Sequence, residues 1–114
     1  MAKNKNRPST PDLGASLLDK LSQMQSEMKR VQDELGEERY TISAGGDAVQ
    51  IVVDGKQRLH HVTISPEAMA AAQQDREMLE DLLVAAVNTA LEHSQTIAAE
   101  RLQGLSSGLG LPEL

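Results

Sequence analysis

Three histidines, a block of carboxylates and two short glycine or serine clusters are the side chains of this 114-residue chain with types suited to chemistry. His60 and His61 are neighbours in a stretch of alternating apolar character. On a strand their imidazoles face opposite sides and cannot chelate one ion unless a bulge turns one of them. The chain has no cysteine and no third spaced histidine to complete a ligand set, so no metal site is expected. His93 falls in phase with Leu79, Leu83, Ala86, Ala90 and Ile97, which reads as a partly buried helix histidine and not as a general base. Asp75, Glu77, Glu80 and Asp81 have the types of a cation site or an acid–base pair, yet the N-terminus of a helix accounts for acidic side chains there without chemistry. Ser106-Ser107-Gly108 has no base in view, and Gly45-Gly46 lacks the further glycines and the lysine of a phosphate loop. No catalytic residue, cofactor or small-molecule substrate is expected. The chain reads as a binding protein and not as an enzyme.

Composition narrows what it binds. Tyr40 is the one aromatic residue, so there is no surface on which unpaired bases stack and no aromatic cage for a quaternary amine. Eleven basic residues stand against 17 acidic ones, a net charge of −6, which opposes a basic-patch argument for the chain as a whole. The distribution is uneven: residues 1 to 36 net +1, residues 37 to 66 net −1, and residues 67 to 114 net −6. The N-terminal third is therefore the part expected to face a polyanion. No apolar run reaches the length of a membrane span and the polar start lacks the apolar centre of a signal peptide, so a soluble cytoplasmic protein is expected.

The elements that position these residues follow from periodicity. Residues 1 to 9 are basic, polar and aperiodic, and read as a disordered arm. Thr10 is suited to cap a helix, Pro11 to open it and Asp12 to meet its positive end; Gly36 is the expected left-handed stop. Within that helix Leu17, Leu21, Met24, Met28, Val31 and Leu35 recur at spacings of four and three, a coiled-coil seam that leaves Lys29 and Arg30 facing outward. Three strands follow. Tyr40, Ile42 and Ala44 alternate up to the turn at Gly45-Gly46-Asp47; Val49, Ile51 and Val53 alternate up to Asp54-Gly55. Leu59 is out of phase with Val62 and Ile64, and an extra residue at His60-His61 restores one apolar face, which predicts a β-bulge there. Ser65-Pro66 opens a short helical turn to about Met69. A last helix is expected from near Asp75 to Gly104, with a broad stripe of Leu79, Leu82, Leu83, Ala86, Val87, Ala90, Leu91, Ile97, Ala98 and Leu102, followed by a flexible tail over residues 105–114.

Two helices of roughly 40 Å, at 1.5 Å per residue, exceed a compact chain of this size, whose radius of gyration is about 13 Å. They must project beyond the sheet. A projecting helix with an apolar seam and a meander with two free edges both call for a partner, which a homodimer supplies.

The stretch from Gly45-Gly46 through Val49, Ile51, Val53-Asp54-Gly55, Val62 and Ile64-Ser65-Pro66, then Asp75-Arg76-Glu77-Met78-Leu79-Glu80-Asp81-Leu82, Ala85-Ala86 and Asn88, resembles the YbaB/EbfC family of bacterial nucleoid-associated proteins. Gln23-Met24-Gln25, Met28 and the Gly108 to Pro112 stretch fit as well, so that the likeness covers roughly residues 13 to 112. It implies an α+β fold with chain order α-β-β-β-α, a small antiparallel three-stranded sheet and two long helices. It further implies a tweezer-like homodimer that binds double-stranded DNA at the nucleoid without catalysis or cofactor. Residues 10–104 are expected to form the family-like domain. The likeness transfers no contact residues, so these come from charge: Lys3, Lys5 and Arg7 on the arm and Lys20, Lys29 and Arg30 on the first helix, then Arg39 and Arg101. Phosphate contacts with little base readout are expected of them. The alternative is a chaperone-like or adaptor module that grips protein between the projecting helices, with the methionines as adaptable contacts.

Overall fold

Alternation in the middle of the chain builds a three-stranded antiparallel sheet in the order β1 (Tyr40–Ala44), β2 (Val49–Val53), β3 (Leu59–Ile64). Before it stands α1 (Ser9–Glu37); after it come α2 (Pro66–Ala72) and α3 (Arg76–Gly108). The computed structural model describes residues 9–108, with side chains from residue 14 onward. The fold class is α+β as the residues indicated, with the helical turn after Ser65 lengthened into a helix of its own.

Register puts the apolar strand residues other than Val52 on one face. Tyr40, Ile42 and Ala44 pair with Val53, Ile51 and Val49, and Val49 and Ile51 pair in turn with Ile64 and Val62. On β3 the pairing skips His60, since Val52 faces His61 and Val53 faces Leu59. The bulge is where the phase break required it, and it returns Leu59 to the apolar face.

Helix α3 lies across that face, with Ala86 and Ala90 closing over Val49, Ile51 and Val53. Small residues at these positions let the helix approach, and each fully buried β2 side chain contributes about 1.5–3 kcal/mol. The helix covers β1 and β2 and leaves β3 open: Leu59 is 37% and Val62 is 42% exposed although they belong to the core face.

The α1 seam divides along its length. Val31 and Leu35 are buried, Met24 and Met28 half-buried, and Leu17 and Leu21 are 61% and 52% exposed. The helices do project: the chain measures 90 × 22 × 17 Å with a radius of gyration of 23.7 Å.

Three helix ends differ from expectation. Helix α1 begins at Ser9, one residue ahead of Thr10, and the side chains expected to cap it lie outside the described residues. Gly36 is not a left-handed stop; the helix carries it through to Glu37 and closes when the Glu38 N–H bonds to the carbonyls of Glu34 and Leu35. Helix α3 continues through Gly104 to Gly108, because one glycine costs a long helix only about 1 kcal/mol. Residues 105–108 are therefore helix, and the rest of the expected tail lies outside the described residues. The starts of α2 and α3 are capped by side chains: Ser65 Oγ accepts from the Ala68 N–H at 3.0 Å and Asp75 Oδ1 from the Met78 N–H at 3.1 Å.

Candidate nucleic-acid interface

The turn from Asp54 to Arg58 is fixed by hydrogen bonds to three other elements. Asp54 Oδ1 accepts from the N–H groups of Lys56 at 2.7 Å and Arg58 at 3.1 Å, while its Oδ2 lies 2.8 Å from His60 Nε2. The Gly55 N–H donates to the Leu35 carbonyl at 2.8 Å and thereby satisfies a carbonyl in the last turn of α1. From α3, Ser94 Oγ donates to the Asp54 carbonyl at 2.7 Å and accepts from the Gln57 N–H at 3.0 Å. Gln57 sits at φ 61°, in the left-handed region that a side chain other than glycine occupies at a cost on the order of 1 kcal/mol. Asp54 is buried, at 4% exposure. Burial pushes its pKa up, but the hydrogen bonds from His60, Arg58 and Lys56 outweigh that and hold it below the usual carboxylate value.

Tethering leaves Lys56 and Arg58 with no ion-pair partner among the described residues. Both side chains are exposed. Arg39 stands beside them on the α1–β1 connection: its Nη1 donates to the Gly36 and Glu38 carbonyls at 2.9 Å, and a Cβ on Gly36 would lie 3.1 Å from Lys56 Cδ. The structure thus brings Arg39, Lys56 and Arg58 to one end of the sheet, with Glu37 as the exposed carboxylate of that connection.

Of the cations chosen from the sequence, Arg39 joins this group and the others are placed differently. Lys3, Lys5 and Arg7 lie outside the described residues. Lys20 is exposed on the projecting half of α1 and has no ion-pair partner among the described residues. Lys29 meets Asp33 at 3.0 Å in an exposed i,i+4 pair, which contributes only about 0.3–0.5 kcal/mol and opens readily. Arg30 is held on both sides, by Glu27 at 2.6 Å and Glu34 at 2.9 Å.

Arg101 links α3 to the base of α1 by two parallel bonds to Glu38, 3.0 and 2.9 Å long. Those bonds, and then the Tyr40 hydroxyl, which also donates to Glu38, lower the Glu38 pKa. Burial first, and then the Glu38 carboxylate, push the Tyr40 hydroxyl up to about 12. Arg30 and Arg101 line a cleft of about 610 Å³ between α1 and α3, with Val31, Ile97 and Leu105 as its apolar floor.

His93 is exposed, its ring set edge-on to Tyr40 at 5.6 Å, and the fully buried polar residue of α3 is its neighbour Ser94. Periodicity placed the apolar stripe well but could not tell which of two adjacent polar residues meets the hairpin. Among the described residues no group of three His, Asp or Glu side chains gathers as for a metal ion. The acidic residues Asp47, Glu67, Asp75, Glu77 and Asp81 collect around the β1–β2 turn and the start of α3, at the far end of the strands from Lys56. Sequence reasoning missed Asp54, Lys56, Arg58 and Ser94. An Asp-Gly pair followed by two cations in three residues was the available signal, and the averaging of charge over residues 37 to 66 concealed it.

Residues 11–109 match the YbaB/EbfC DNA-binding family. The chain is 35% identical over 100 residues to a nucleoid-associated protein of Pelotomaculum thermopropionicum, covering 88% of this chain and 93% of that one. It is 41% identical over 98 residues to a nucleoid-associated protein of Desulforamulus reducens, covering 86% and 91% respectively. Among solved structures, an uncharacterized protein of Helicobacter pylori shares the fold with a TM-score of 0.59 at 19% identity, over 70% of this chain and 90% of that one.

Proposed function

Because the chain belongs to the YbaB/EbfC DNA-binding family, we propose that it binds duplex DNA at the bacterial nucleoid as a homodimer, through phosphate contacts with little base readout. The observation that carries the dimer is the uncovered part of the core face. Leu59 and Val62 continue the apolar row of Val53 and Ile51 on an edge strand that α3 does not reach, and Met69 is 51% exposed. An open apolar edge of this kind is covered by a second chain or aggregates. The exposed Leu17, Leu18 and Leu21 of α1 extend the same demand along the projecting arm.

Phosphate contact is supported by what the surface offers. Tyr40 is half-buried and bonded to Glu38, so no aromatic ring is presented to a base. Lys20, the readily released Lys29, and the arm residues Lys3, Lys5 and Arg7 carry the contacts. Arg30 and Arg101, each bound to two carboxylates, are the less available.

A mobility-shift series on unrelated duplexes at increasing salt tests the reading. Affinity should be similar across sequences and fall with a log–log slope of about −0.9 for each phosphate neutralised. Salt-independent binding would overturn it. Deleting residues 1–9 should weaken binding and flatten the slope without unfolding the protein. Val62→Glu should convert the protein to monomers by light scattering; a dimer that survives it assigns the contact elsewhere.

The exposed leucines of α1 and the cleft beside them favour a second reading, a module that grips protein between its helices. Suppression of the aggregation of an unfolded client at stoichiometric amounts would support it, and no suppression alongside salt-sensitive DNA binding would remove it.

A further inference from the structure

We infer that the β2–β3 turn is a second DNA-contacting surface, on which Lys56 and Arg58, flanked by Arg39, grip backbone phosphates of the duplex. The inference rests on the proposed duplex binding and adds a site that lies away from the projecting half of α1.

Three observations converge on this turn. Its cations are unspent: Lys56 and Arg58 are exposed and meet no carboxylate among the described residues, whereas Arg30, Arg76 and Arg101 all do. The carboxylate nearest to them in the chain, Asp54, is buried and turned inward onto the N–H groups of Lys56 and Arg58 and onto His60. Its charge is thereby used to fix the turn from within and is shielded from a ligand outside it. The backbone is also held in advance: α1 through Leu35, α3 through Ser94 and β3 through His60 each bond to the five residues from Asp54 to Arg58.

A rigid turn that displays two cations loses little freedom when it meets a phosphate, so more of the contact remains as affinity. Gln57 has its N–H occupied by Ser94 while its backbone stays in the left-handed region. Strain maintained by surrounding bonds on an exposed turn is a feature that functional sites show more often than simple connections do. The third observation is polarity. Against Glu37 as the exposed carboxylate at the turn end, Asp47, Glu67, Asp75, Glu77 and Asp81 gather at the other end of the strands, which repels a polyanion from that end and orients the body with the β2–β3 turn toward it.

The experiment compares Lys56→Gln/Arg58→Gln with Gln74→Glu/Arg76→Gln. Both variants lower the chain's charge by two, the second at the acidic end. Duplex affinity is measured by mobility shift across a salt series, with circular dichroism as the check on folding. Two lost phosphate contacts should weaken the first variant by roughly 60-fold at 0.1 M salt, make its slope shallower by about 1.8, and leave it equal to wild type near 1 M. The second should stay within about twofold of wild type, because exposed charges farther off than a Debye length of about 10 Å are screened. The single variants Lys56→Gln and Arg58→Gln, each expected to lose about eightfold, keep the test decisive if the pair disturbs folding. Lys56→Arg/Arg58→Lys should bind as wild type does. If wild type binds and the first variant retains its affinity and slope, or if both charge-lowering variants lose equally, the turn is not a contact surface and the duplex reading stands. A wild-type protein that fails to bind any duplex overturns both.

Discussion

Between β1 and β2 the chain turns through Gly45 and Gly46, both at positive φ, closed by a bond of 3.2 Å from the Ala48 N–H to the Gly45 carbonyl. Between β2 and β3 it turns through Asp54 to Arg58 with a single positive φ, at Gln57, and with bonds to α1, α3 and β3. The first turn solves its geometry locally, by glycine, and is surrounded by acidic residues. The second is held in shape by the rest of the molecule and carries cations. The first turn meets α3 at Leu82 beside Gly45, whereas the second is the place where α1, α3 and the sheet are fastened together by hydrogen bonds.

Removing the fastening group is the severest way to break this contrast. Asp54→Ala leaves the N–H groups of Lys56 and Arg58 and the His60 ring without their buried acceptor. A loss of roughly 3 kcal/mol in urea unfolding is expected. Asp47→Ala, on the opposite turn, should stay within about 0.5 kcal/mol. The same carboxylate sets an acid limit. Its folded pKa lies below its ordinary value of 3.8, so its stabilisation is fully present above that value and disappears as pH falls through the lower, folded one. Asp54→Asn should flatten the decline of stability below pH 3.8. An unchanged decline would assign it to other carboxylates.

Glycine substitutions sharpen the comparison at smaller cost. A Cβ on Gly55 would lie 2.7 Å from Leu35 Cβ and 2.8 Å from the Leu35 carbonyl, so Gly55→Ala pushes the turn off α1 and should cost about 2 kcal/mol. At Gly46 nothing lies within 4 Å and only the positive φ opposes a side chain, so Gly46→Ala should cost about 1 kcal/mol. Equal losses at the two sites would refute the distinction between a turn held by its neighbours and one held by its own backbone.

The smallest effect is spectroscopic. Tyr40 is the sole tyrosine, so an ultraviolet titration reads it alone, and its ionisation should come near pH 12. In Glu38→Gln the midpoint should fall but remain above 10.0, because burial is the larger cause of the shift and the carboxylate the lesser. A midpoint of 10.0 in the variant would mean that burial contributes nothing.

What could be read from residues and what could not separate along physical lines. The strand alternation and the phase break at His60 fixed the sheet register, because side-chain period is a local property of the backbone. The projecting helices followed from length alone. Helix ends were read less well, since Gly36 and Gly104 were judged by residue type while the actual stops depend on what bonds to the last carbonyls, including Gly55 from another element. The candidate site was read least. Arg30 and Arg101 look like any other surface cations in the sequence, and only the fold brings Glu34 and Glu38 against them.

Composition and order by themselves determined that this chain has one aromatic residue and no cysteine, and that it folds as a small sheet with long helices. Those properties depend on residue type and period, which the chain carries at every point along its length. Tertiary structure decided which charges are free. Sixty-three residues separate Arg101 from Glu38, and 40 separate Ser94 from Asp54, so each pairing exists only once α3 has crossed the sheet. The net charge of −6 is a sum that ignores position. A phosphate responds to the field at one surface, and folding places Lys56 and Arg58 at one end of the strands and most of the clustered carboxylates at the other.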